Sequence, residues 1–158
     1  MKTLVAGIGN IFNGDDGFGV EVAQRLSRRP QPEGVHVEDY GIRGVHLAYA
    51  LLDGYDLLVL VDAMARGEAP GTVFVLEPDV DGGETPPLDA HRMDPHAVLG
   101  MVAGLGGEIG RVLVVGCEPA DVGDGIGLSP PVEAAVAAAL HLVEDVVAGH
   151  VFAEKETT

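Results

Sequence analysis

The order of apolar and polar positions along the chain alternates between two periods. Leu4 to Ile8 is a short apolar run ending in glycine and reads as a buried strand. From Phe18, apolar residues recur at Val22 and Leu26 with Glu21, Gln24 and Arg25 between them, which predicts an amphipathic helix stopped by Pro30-Gln31-Pro32. Val35 to Tyr40 reads as a second strand, Val45 to Leu52 as a short helix ending before Gly54. Leu57 to Val61, five consecutive aliphatics, is the strongest strand signal. Thr72 to Leu76 is another strand. Residues 78–90 form a Pro/Gly/acid loop without periodicity. Asp94 with Pro95 is expected to open a helix running to about Leu105, ended by Gly104, Gly106 and Gly107. Val112 to Val115 reads as the last strand, and 118–128 as a second loop. Ser129 and Pro130 open a final helix to about Ala148, with Val132, Val136, Leu140 and Val143 on one face. The tail 154–158 is polar and expected to fray.

Strands alternating with helices imply right-handed crossovers. The expected fold is α/β: three layers, a mostly parallel twisted sheet with helices on both faces, in one domain over 1–158. Composition agrees with this. Of 158 residues, 47% are apolar but only 4% aromatic, so the core must be aliphatic, as buried parallel strands require. The formal charge of −16 argues against nucleic acid and anionic membrane surfaces as partners. No apolar stretch approaches the roughly 20 residues that span a bilayer. The opening MKTLVAGIGN is too short and too glycine-broken for a secretory signal. A single cysteine, Cys117, rules out an internal disulfide or a multi-cysteine metal site and fits a reducing compartment. The expectation is a soluble, cytoplasmic protein.

In a sheet of this kind, chemistry sits just outside the carboxyl ends of the strands. Three such ends carry unusual residues: Gly7-Ile8-Gly9-Asn10 leading to Gly14-Asp15-Asp16-Gly17, then Asp62, then Gly116-Cys117-Glu118-Pro119. The first is not a dinucleotide fingerprint, because position 12 is Phe12 rather than glycine, and no phosphate-binding GxxxxGK[ST] loop exists. Asp15 and Asp16 would repel a pyrophosphate there. No nucleotide is therefore expected. Asp15 is assigned to capping the following helix, which leaves Asp16 to face the crevice. Asp62 can be a turn former, but it ends a buried strand and so needs a partner: a metal ion, Arg43 or Arg66. Of six histidines, His36, His46, His141 and His150 fall on surfaces. His91 and His96 bracket a helix start and lie about 140° apart on a helical projection, so one ion would take only one of them. Spacing alone does not choose between the two.

Two carboxylates and one imidazole make an open oxygen–nitrogen site suited to zinc, nickel, cobalt or iron(II), and not to calcium. No GxSxG elbow is present, and Cys117 has no evident base partner.

At these residues the chain resembles the hydrogenase maturation endopeptidases of nickel-containing hydrogenases. The resemblance rests on GIGNIFNGDDGFGVEVAQRL (7–26), DYGIRG (39–44), LLVLVDA (57–63), DAHRMDPHAVL (89–99), GCEP (116–119) and the Leu128-Ser129-Pro130 helix start. It implies an endopeptidase that removes the C-terminal extension of a hydrogenase large-subunit precursor after nickel insertion, with the precursor's nickel as the recognition element. Carried over residue by residue, the metal-contacting set becomes Asp16, Asp62 and His91, with Asp16 and Asp62 also the candidates for catalysis. The first of these is often Glu in that family; Asp16 is one methylene shorter. Two alternatives stand beside this reading. One is a non-catalytic nickel-binding maturation factor on the same fold. The other is a small-molecule metallohydrolase.

Overall fold

Every aliphatic run becomes a strand and every amphipathic run a helix. The computed structural model describes residues 1–78, 95–150 and 153–155. Strands β1 (Thr3–Ile8), β2 (Val35–Gly41), β3 (Leu57–Ala63), β4 (Val73–Glu77), β5 (Arg111–Cys117) and β6 (Glu154–Lys155) form one sheet in the order β2-β1-β3-β5-β4-β6. Helices α1 (Phe18–Ser27), α2 (Gly44–Leu51), α3 (Pro95–Gly104) and α4 (Pro130–Val147) connect them. The sequence boundaries hold to within a residue or two. Asp94, read as the cap of α3, lies outside the described residues.

Alternation along each buried strand sends successive side chains to opposite faces. Val5, Val59, Val61, Leu113 and Val115 face one side, where Phe18, Val22 and Leu26 of α1 and Val132, Val136, Leu140 and Val143 of α4 cover them. Leu4, Ala6, Leu58, Leu60, Val112 and Val114 face the other, under Leu47 and Leu51 of α2 and Val98 and Val102 of α3. The three layers are therefore as the sequence predicts.

The strands β2, β1, β3 and β5 are parallel, whereas β4 runs antiparallel to β5. Residues 64–72 between β3 and β4 hold no helix to carry the chain back across the sheet, so β4 returns in the opposite sense. Glu154 and Lys155, expected to fray, instead pair in parallel with Leu76 and Glu77 of β4. Residues 156–158 lie outside the described set.

From β1 the chain goes outward to β2 through α1, and from β3 it goes the other way to β4. The carboxyl ends of β1 and β3 thus form the topological switch point, the place where an open α/β sheet leaves a crevice.

Candidate functional site

At the end of β1 the chain makes a tight return. Gly9 takes a positive φ of 131°, and a side chain there would overlap the carbonyl oxygen of Asp16. The backbone N–H of Asn10 donates to Asp16 Oδ2 at 2.8 Å, and Asn10 Oδ1 accepts from the N–H of Phe12 at 2.9 Å. These bonds fold a 3-10 turn, Gly14–Gly17, back over the strand end and fix the half-buried Asp16 there. Helix α1 then starts hard against the sheet. A methyl group on Gly19 would overlap the carbonyl oxygens of Val61 and Ile8, so only glycine lets the helix come this close.

Asp62 follows Val61 directly. It is the penultimate residue of β3, pairs in register with Gly116 of β5, and is 7% exposed. The 3-10 turn bearing Asp16 packs on β3. The structure therefore brings Asp16 and Asp62 to one edge, the switch point. Arg43 donates to the carbonyls of Tyr40 and Asp39, and Arg66 pairs with Glu154 and stacks on Phe74.

His91, the third member of the predicted set, lies outside the described residues. Among the described residues no three His, Cys, Asp or Glu side chains are grouped to hold a metal ion. His96 is exposed in the first turn of α3, and His36, His46, His141 and His150 are exposed as expected.

Asp15 differs from its predicted role. The helix α1 takes Gly17 as N-cap residue, with no side-chain cap bond. Asp15 is instead fully buried and reaches across the sheet edge. Its Oδ2 accepts from the N–H groups of Ala120 and Asp121 at 2.8 and 2.9 Å and from Ser129 Oγ at 2.8 Å, while Oδ1 accepts from Ser129 N–H at 2.7 Å. Burial alone would raise its pKa, but the hydrogen bonds from Ser129, Asp121 and Ala120 outweigh that and hold it below its usual value. Ser129 is the N-cap residue of α4, so the carboxylate also meets the positive end of that helix.

Two residues at the end of β5 complete the surroundings of the site. Glu118 is buried, and its Oε1 accepts from the N–H groups of Arg66 and Glu68, which sets the loop after Asp62. Its signal was available: a carboxylate next to a fully buried strand end. Cys117 is buried, and its thiol is pushed up to about 11, chiefly by burial and then by Asp15 and Glu118. That makes it a packing residue and not a nucleophile.

A mostly parallel α/β sheet with two carboxylates at its switch point defines a protein with an acidic crevice. Such a crevice can receive a cation or move a proton beside a bound chain. Comparison with known proteins narrows this. The hydrogenase maturation protease family model matches residues 20–146. The Hydrogenase 2 maturation protease of Escherichia coli K12 is 32% identical over 150 residues, spanning 90% of this chain and 88% of that one. The hydrogenase expression/formation protein HupM of Azotobacter chroococcum mcd 1 is 37% identical over 145 residues, spanning 87% and 67%. The structure of the E. coli hydrogenase maturating endopeptidase HybD superposes with a TM-score of 0.74 at 30% identity, covering 94% of this chain and 93% of that one. The chain belongs to the hydrogenase maturation protease family and is a peptidase. The reading as a non-catalytic factor is set aside. No helix among the described residues is long and apolar enough to cross a membrane.

Proposed function

We propose that this peptidase removes the C-terminal extension of a hydrogenase large-subunit precursor and recognises that precursor by its bound nickel. In this reading Asp16, Asp62 and His91 approach the metal and so align the scissile peptide beside it. The nickel arrives with the substrate, and no nucleotide takes part. The observation that carries the reading is the meeting of Asp16 and Asp62 at the β1/β3 switch point. Carboxylate oxygens with one imidazole nitrogen are a fitting set for nickel and leave open positions for the metal's existing ligands. The work is placed in the cytoplasm, where the single buried cysteine stays reduced.

The test uses Asp16→Asn, Asp62→Asn and His91→Ala. Asparagine at 16 keeps an acceptor for the Asn10 N–H while removing the charge. Each variant is expected to lose cleavage of the nickel-loaded precursor by roughly 100-fold or more, with the thermal transition retained. Cleavage at the wild-type rate by all three would overturn the assignment.

A further inference from the structure

Residues 120–127 connect β5 to α4 and are exposed throughout, yet they are held on several sides. Asp15 binds their first two amides and the N-cap Ser129. Gly125 donates to the carbonyl of Phe12, and Gly14 donates to the carbonyl of Gly125, both at 2.8 Å, so the loop pairs with residues 12–14 as a short parallel bridge. A side chain on Gly14 would press on the Asp121 carbonyl, so the two segments meet backbone to backbone.

This fixed pair holds large apolar side chains in solvent. Phe12 is 61% exposed, Ile126 78%, Val122 52% and Ile11 45%. A cleft of about 270 Å³ opens beside Ile126, lined also by Gly14, Leu128 and Ser129 among others. Asp121 and Asp124 flank the same side chains. A loop that only closed a chain connection would gain nothing from apolar residues pointed at water. Contiguous exposed apolar residues mark binding surfaces, and prior rigidity reduces the entropy lost on binding. The patch also adjoins the site: Phe12 N–H is bound by Asn10, whose own N–H binds Asp16.

We infer that the paired loops 10–14 and 121–127 form a docking rim for the substrate polypeptide, taking a segment with apolar side chains and basic neighbours next to the bond to be cut. The occupant is a polypeptide because the chain is a peptidase and the rim continues from the edge that carries Asp16 and Asp62. The inference rests on the function proposed above for the identity of that polypeptide. Phe12 and Ile126 then set substrate affinity, while the carboxylate edge sets metal recognition.

The experiment measures binding and cleavage of the large-subunit precursor, with and without nickel, by wild type, by the double variant Phe12→Ser/Ile126→Ser, and by Tyr49→Ser on the remote face of α2 as control. The rim predicts that the double variant raises KM, and the Kd for the nickel-free precursor, about tenfold or more. Its thermal transition is expected at the wild-type temperature, and Tyr49→Ser is expected to keep wild-type KM. Unchanged KM and Kd in the double variant overturn the rim alone. Wild-type cleavage that ignores nickel, with the double variant still weakened, overturns nickel recognition and leaves the rim standing. A wild type that neither binds nor cuts the precursor overturns both.

Discussion

Asp15 shows how much one carboxylate can organise. Four donors from two distant segments meet it in a buried position, so removing its charge leaves amides facing a group that no longer accepts from all of them. Asp15→Asn is expected to cost about 2–3 kcal/mol in denaturant unfolding at pH 7. The pH dependence follows from the direction of its shift. The folded pKa lies below the ordinary 3.8, so the unfolded chain takes up the proton first as pH falls. The stabilisation is complete above about pH 5 and is lost progressively below about pH 4. The gap between wild type and Asp15→Asn should therefore shrink between pH 7 and pH 3. A gap that widened toward acid would contradict the assignment. Cys117 gives a second check at this scale. With its thiol pushed up to about 11 and its side chain buried, it should resist alkylation at pH 8 until the protein unfolds. Rapid labelling of native protein, read by mass spectrometry, would contradict that.

Among the elements, α1 has the most consequential placement. Gly7 and Gly19 let its first turns lie on β1 and β3, and the 3-10 turn before it carries Asp16. Gly19→Ala would force the helix off the Val61 carbonyl. The expected result is a loss of about 1–3 kcal/mol in stability, together with slower cleavage, because Asp16 moves with the helix start. Unaltered activity in this variant would separate the position of α1 from the site. The helices and parallel strands were legible because their signals are local: five aliphatics at 57–61, or a four-residue spacing from Phe18. The antiparallel β4 was not, since strand direction depends on the connection rather than on the strand's own residues. The two residues of β6 carry no apolar signal and are held by backbone pairing with β4. Asp15 looked like a local cap because its actual partners lie more than a hundred positions away.

At the level of the whole molecule, topology explains why residues as far apart as Asp16 and Asp62 share an edge. The switch point lies between β1 and β3: β3 delivers Asp62 there near its carboxyl end, and the 3-10 turn that follows β1 folds back to deliver Asp16. That convergence was readable from strand endings alone, whereas choosing His91 over His96 needed the family resemblance. The buried supports were readable only in part: Glu118 announced itself as a carboxylate beside a buried strand end, but its partners at 66 and 68, and those of Asp15 at 120, 121 and 129, exist only once the loops are brought together. The most direct measurement is mass spectrometry of a nickel-loaded hydrogenase large-subunit precursor before and after incubation with this protein, beside the same precursor without nickel. Loss of a short C-terminal peptide from the nickel-loaded sample alone is the predicted result. Equal loss from both samples would contradict recognition through nickel, and loss from neither would contradict the proposed substrate.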